Sequence, residues 1–217
     1  MIIAVDGPAA AGKGTLARRL AAHFGFAFLD TGLLYRAVGL SVLRAGGDPG
    51  DAAAATAAAR ALDAAELDDP ALRGDDAARA ASRVAAIPAV REALLAFQRG
   101  FAHRPPGGAG GAVLDGRDIG THVCPEADVK IFVTAPIEVR AARRLKELRE
   151  RGLDAIHSDV LQDMKERDAR DSGRDIAPLR PAEDAFVLDT GGMDPDAALA
   201  AALGFITSRN RSGATPR

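Results

Sequence analysis

Residues Gly7-Pro8-Ala9-Ala10-Ala11-Gly12-Lys13-Gly14-Thr15 carry the spacing of a phosphate-binding loop, two glycines bracketing four residues and followed by a lysine. A loop of this kind turns its backbone N–H groups inward around phosphate oxygens, and the helix that follows adds partial positive charge. Lys13 is placed to reach the β- and γ-phosphates of a nucleoside triphosphate. The hydroxyl residue that normally follows the lysine is missing: Gly14 stands there, and Thr15 comes one place later. Gly14 offers a magnesium ion no side-chain ligand. The metal is therefore expected to be held mainly by phosphates and water, with no protein metal site.

The second chemical signal is arginine. Arg167, Arg170 and Arg174 recur at three- and four-residue intervals, so a helix would align them on one stripe. Asp168 and Asp171 partly neutralise the row, which argues against a general nucleic-acid patch. Alone, the segment reads equally well as a solvated helix face laced with ion pairs. Beside a triphosphate loop it reads as catalysis, because phosphoryl transfer concentrates negative charge between donor and acceptor. A mobile arm carrying these groups would also expel water on closing. Arg36 and Arg117 add two guanidinium groups, each beyond the carboxyl end of an expected strand. An acceptor that is itself a phosphate accounts for so many cations. Its oxygen is already anionic, so no histidine or buried carboxylate base is called for.

These residues need a scaffold that brings strand ends together. Ile2, Ile3, Ala4 and Val5 form an apolar run suited to a strand buried on both faces. Leu16, Leu20 and Phe24 mark a helix after the loop, and 26–29 reads as a second strand ending at Asp30-Thr31-Gly32. Leu34, Val38 and Val42 predict a helix over 33–43, followed by a loop at 46–50 and an alanine-rich helix over 51–66. Further helices are expected at 75–86 and, after Pro88, from Val90 toward Phe101, with another loop at 104–111. Strands at 112–114, 129–133 and 185–188 complete the set. Pro136 suits the first position of a helix reaching Gly152, Ser158 suits the N-cap of one reaching about Asp171, and Asp194-Pro195 opens the last. The polar tail after Arg209 is expected to fray. Five short apolar strands alternating with helices predict an α/β fold, a doubly wound five-stranded parallel sheet with helices on both faces. Ligands in such a sheet bind at the carboxyl ends of the strands. The polar clusters at Asp6-Gly7, Asp30-Thr31, Asp115-Gly116-Arg117-Asp118, Thr134 and Asp189-Thr190 all fall there.

Composition sets outer limits. With 217 residues the chain can bury one substantial core, and a net charge of −2 gives no pull toward nucleic acid or membrane. Lys13, Lys130, Lys146 and Lys165 are the only lysines, so arginine dominates the cations. Cys124 is the sole cysteine, which excludes an internal disulfide and favours a reducing compartment. His23, His103, His122 and His157 show no metal-ligand spacing. No basic and apolar leader precedes the loop, and no apolar run approaches ~20 residues, so a cytoplasmic protein is expected. No large apolar stripe asks for a partner, so a monomer is expected.

Gly7-Pro8, Gly12-Lys13-Gly14-Thr15 and Leu29-Asp30-Thr31-Gly32 with Tyr35-Arg36 resemble the bacterial cytidylate kinases. So do Asp115-Gly116-Arg117-Asp118-Ile119-Gly120-Thr121, Arg167-Asp168 with Arg170-Asp171, and Ala177-Pro178-Leu179. The likeness spans roughly residues 2–205. It implies a P-loop kinase domain over 1–217, with 1–35, 111–150 and 176–209 as core, 36–110 as a nucleoside-monophosphate-binding insertion and 150–175 as a lid. It further implies ATP as phosphoryl donor with Mg2+, CMP or dCMP as acceptor, and a place in pyrimidine nucleotide metabolism. By the same likeness Arg36, Arg117 and Arg174 hold the acceptor phosphate, while Arg167 and Arg170 face the phosphates. Asp171 holds the ribose with Thr31 nearby, and Ser82, Arg91 and Asp118 read the cytosine. The chemistry of the base agrees: a carboxylate suits its exocyclic amine, while Arg91 and Ser82 supply donors for N3 and O2. Two alternatives stay open, a P-loop kinase for another acceptor such as adenylate or shikimate, and a nucleotide-driven switch that only orders a loop.

Overall fold

The structure, a computed structural model, describes residues 1–212. Strand β1 (Ile2–Asp6) lies at the centre of a five-stranded sheet and is buried along its whole length. Helix α1 (Lys13–Phe24) follows it, then β2 (Ala27–Asp30) and helices α2 (Thr31–Arg44), α3 (Ala52–Ala61), α4 (Asp75–Val84) and α5 (Pro88–His103). The chain returns through β3 (Ala112–Gly116) and β4 (Val129–Thr134), then α6 (Ile137–Glu150), α7 (His157–Ser172), β5 (Phe186–Asp189) and α8 (Pro195–Ser212). The order is β2-β3-β1-β4-β5 and every pairing is parallel. β3 and β4 flank β1 on opposite sides, so the direction of winding reverses at β1 and a crevice opens beyond its carboxyl end.

Alternation along β1 explains why the sheet is covered twice. Ile3 and Val5 pack with Leu16, Ala17 and Leu20 of α1 and with Ala198, Ala202 and Ile206 of α8. Ile2 and Ala4 face the other way, into a layer with Leu95 and Ala102 of α5 and with Ile119 and Val123. The polar tail expected to fray after Arg209 is helical to Ser212. Residues 213–217 lie outside those described.

The alanine-rich stretch has its own core, Leu34, Val38, Ala55, Ala59, Ala81, Val84, Val90 and Leu94. Its small residues set how closely helices approach: a methyl on Gly39 of α2 would meet Ala80 Cβ of α4 at 2.7 Å. The stretch read as one helix over 51–66 ends at Ala61, and Ala64–Asp68 forms a separate 3-10 turn closed by Asp63 and Glu66 in a reciprocal cap. Helix α2 starts at Thr31 rather than Leu33, because the Asp30 carboxylate caps it by accepting from the Gly32 N–H at 3.0 Å. Pro136 precedes α6 instead of opening it. Ser158 is not the cap of α7 either: Ile156 precedes that helix, and the Ser158 hydroxyl donates to Asp159. Helices α6 and α7 share a small cluster of Ala141, Val160 and Met164, and Ala10 packs against it.

Candidate active site

Gly7 begins the phosphate loop with φ +148°, where a Cβ would come within 2.0 Å of the Val133 carbonyl oxygen of β4. Ala10 takes a left-handed φ of 57°, a strained setting for a residue with a side chain. Gly12 closes the loop with φ +87° and caps α1 without a side-chain hydrogen bond, leaving the first-turn N–H groups free for an anion. Two loop carbonyls are engaged from outside. Ala9 O accepts from Arg140 Nη1 at 3.3 Å, and Ala11 O accepts from Thr190 Oγ1 at 2.8 Å. Arg140 also donates to Asp168 Oδ2 at 2.6 Å, so one guanidinium fastens the loop to α7.

Lys13 is buried, with its ammonium 3.4 Å from the Pro8 carbonyl and 3.8 Å from Asp115 Oδ1. Burial, then the neighbouring Arg117, pulls its pKa down to about 8. Asp115, next to last in the buried strand β3, lies opposite Val5 of β1. Its Oδ2 lies 3.0 Å from where a Gly14 side chain would begin, so the carboxylate occupies the space beside that glycine. Its Oδ1 is buried without a hydrogen-bond partner. No three His, Cys, Asp or Glu side chains stand together as a metal cage among the described residues. The orphaned Asp115 carboxylate beside Gly14 fits a magnesium ion carried on nucleotide phosphates. Asp115 was legible in sequence only as part of a polar strand end and of the motif it opens, without a role of its own. The available signal was a carboxylate closing a buried strand that must neighbour the loop.

Opposite the loop, the carboxylate of Asp171 gathers arginines. It is 1% exposed, accepts from Arg117 Nε at 3.1 Å and forms an ion pair with Arg174. Burial works to raise its pKa, but the guanidinium groups of Arg117, Arg174 and Arg167 outweigh it and hold the carboxyl below its ordinary range. Arg167 is half-buried, its Nε is enclosed without a partner, and desolvation with the neighbouring Arg117 draws its pKa down to about 10. Arg174 Nε is also buried and unpartnered. Arg36 sits on α2 and donates to the Leu72 carbonyl at 2.8 Å.

The three arginines do not form the single helical stripe expected. Helix α7 ends at Ser172, Gly173 closes it by donating to the Ala169 carbonyl, and Arg174 lies beyond, turned back onto Asp171. Arg167 points inward. Arg170 is half exposed, with Nε 3.2 Å from Ser82 Oγ and Nη1 3.8 Å from Glu166. Asp168 does not neutralise the row, since its partner is Arg140.

Ser82, Arg91 and Asp118 are all buried, although they come from α4, α5 and the turn after β3. Arg91 forms an ion pair with Asp118, donates to the Ala85 carbonyl at 3.4 Å and lies over the Tyr35 ring at 5.7 Å. Thr31 is buried and its hydroxyl donates to the Asp115 carbonyl at 2.8 Å. A side chain on Gly116 would meet that hydroxyl at 2.8 Å, so Thr31 lies beside the backbone leading to Arg117. Arg144 of α6 pairs with Asp75 at the start of α4. With the Arg170–Ser82 contact, that places α6, α7 and α4 around one cleft.

A phosphate loop at the reversal point of a parallel sheet, faced by buried guanidinium groups, defines a P-loop phosphotransferase. A solved structure of an uncharacterized protein from Eubacterium ventriosum shares the fold at 15% identity, with a TM-score of 0.56 over 96% of this chain and 98% of that one. The family model described as cytidylate kinase matches residues 3–206, and the chain belongs to that family. The chain is 66% identical over 208 residues to the cytidylate kinase of Paramagnetospirillum magneticum, covering 96% of this chain and 98% of the relative. Its identity to that of Rhodospirillum rubrum is 64% over 211 residues, covering 97% and 99%.

Proposed function

We propose that the chain transfers the γ-phosphoryl group of ATP to CMP or dCMP, giving ADP and CDP or dCDP. The observation that carries this reading is a cleft where Lys13, Arg36, Arg91, Arg117, Arg167, Arg170 and Arg174 converge against the carboxylates of Asp30, Asp115, Asp118 and Asp171. Lys13 and Arg167 both have depressed pKa values there, and the Nε atoms of Arg91, Arg167 and Arg174 lack partners. Two phosphorylated ligands supply the missing negative charge.

ATP sits in residues 7–15, with Lys13 on its outer phosphates. Arg36, Arg117 and Arg174 take the acceptor phosphate, and Arg167 and Arg170 face the transferring group. For this to happen, Arg117 and Arg174 exchange the Asp171 carboxylate for phosphate oxygens. Asp171 is thereby released toward the ribose hydroxyls, beside Thr31. No covalent intermediate is required, because the acceptor oxygen is already an anion and charge stabilisation dominates such transfers. Mg2+, when bound with ATP, neutralises developing charge on the phosphates, and Asp115 is the carboxylate that would stand nearest to it. The segment 150–175 acts as a lid over the insertion 36–110.

Asp118 accepts from the cytosine amine, and Arg91, held by Asp118, donates to the ring together with Ser82. Uracil carries a carbonyl where cytosine carries the amine, so Asp118 would face an acceptor and discriminate against it. No helix among the described residues is long and apolar enough to cross a membrane. A cytoplasmic monomer suits a chain whose single cysteine is free and buried. An acceptor panel with ATP and magnesium tests the reading: CMP and dCMP should lead, and a preference for AMP or shikimate would overturn it.

A further inference from the structure

Asp6, the last residue of β1, lies directly before Gly7 of the phosphate loop and has no part in the chemistry above. Its side chain is 5% exposed and spends both oxygens on another segment. Oδ1 accepts from the Ile119 N–H at 2.7 Å and Oδ2 from the Gly120 N–H at 2.8 Å. Those two N–H groups open a π-helical turn at Ile119–Val123, and Asp118 is the residue immediately before it. The turn closes back on itself: Asp118 O accepts from His122 N and Val123 N, and Ile119 O accepts from Cys124 N. On its other side Gly120 is pressed by Lys130, whose Cδ would lie 3.1 Å from an added methyl, with Asp6 Oδ2 at 3.4 Å. The turn is thus held by a carboxylate on one side and bounded by a lysine stem on the other, so that a residue larger than glycine at 120 requires a small shift.

Keeping a carboxylate there is costly. Burial lifts its pKa to about 7 despite the two N–H bonds, with Asp118 and Asp115 adding to the rise. Nothing in the packing of β1 requires an acid at this position, since Gly116 and Phe132 are its strand neighbours. A two-point acceptor for adjacent N–H groups is what a carboxylate provides and an apolar residue cannot.

We infer that Asp6 is a specificity-positioning residue: by gripping the N–H groups of Ile119 and Gly120 it fixes where Asp118 and Arg91 meet the acceptor base. It thereby ties the start of the ATP loop to the reading of the acceptor. The inference rests on the assignment of Asp118 to base recognition. Asp6→Asn keeps the shape but gives one N–H an amide donor in place of an acceptor. Gly120→Ala leaves Asp6 intact and pushes the turn by a few tenths of an ångström from the opposite side.

Both variants should lower the CMP-over-UMP preference in kcat/KM by roughly tenfold, chiefly through KM for the acceptor, while KM for ATP changes by less than about threefold. Wild type and Asp118→Ala are measured alongside. A wild type with no such preference, or an Asp118→Ala variant that retains it, removes the base assignment and this inference with it. If those controls behave as assigned but both variants keep the wild-type ratio, the positioning role of Asp6 alone is wrong. Equal increases in KM for ATP and CMP would likewise overturn it, showing that Asp6 only supports the loop. Should Asp6→Asn lack a cooperative thermal transition, the Gly120→Ala ratio decides.

Discussion

The donor and acceptor sides proposed for the cleft are built in opposite ways. Backbone holds the ATP side: Gly7, Ala10 and Gly12 adopt positive φ, and loop carbonyls are fastened by Arg140 and Thr190. Side chains hold the acceptor side, through ion pairs between residues far apart in sequence, Arg117 with Asp171 and Arg91 with Asp118. The first arrangement is preorganised and needs no partner exchange when ligand arrives. The second is satisfied by its own ion pairs and, on the proposed assignment, must trade partners to bind. Rigidity on one side therefore faces rearrangement on the other.

Four measurements would break or sharpen that contrast. Lys13→Met removes the one charged side chain of the backbone-built side, and kcat should fall by about a hundred- to a thousandfold. A smaller loss than that from any single arginine would reverse the ranking of the two sides. Arg174→Ala should lower turnover by about a hundredfold with KM for ATP little changed. Unchanged turnover would reduce this arginine to a structural partner of Asp171. Asp118→Ala should cost CMP roughly tenfold more in kcat/KM than UMP. It should also lower the unfolding free energy by about 3 kcal/mol, because Arg91 is left buried without its ion-pair partner.

The mildest effect concerns pH. Burial and Arg117 hold the Lys13 pKa down to about 8, and phosphate charge would raise that value in the complex. The bound state then holds more protons than the free one, so ATP binding near pH 8 should take up roughly half a proton. Apparent affinity should decline as pH rises beyond that point. Calorimetry in two buffers of different ionisation enthalpy measures the uptake, and a value of zero would show that Lys13 is already fully charged when free.

The same contrast explains what could be read from the chain alone. The β1 run, the loop glycines and the start of α1 are contiguous, so local sequence specified them and the parallel sheet around them. The acceptor side was legible only as residue types and through resemblance to a family. No local pattern tells that Arg170 meets Ser82, 88 positions away, or that Asp168 belongs to Arg140. Periodicity misplaced Arg174 because a cap at Gly173 ends the helix before it. Alanine-rich helices carry little periodic signal, yet at Gly39 and Ala80 small size is what lets α2 and α4 touch. Asp115 was legible only as a member of a polar cluster and a motif, with no role of its own, because its importance comes from the strand beside it rather than from its neighbours in sequence.

Asp171 carries one further consequence. Surrounded by guanidinium groups, the resting enzyme would otherwise be a trap for any small anion in solution. A carboxylate tethered to the same chain is always present at high effective concentration, so stray phosphate must compete against an internal decoy. A ligand that offers only an anion gains little by displacing it. A whole nucleotide, with sugar and base to anchor it elsewhere, can afford the exchange.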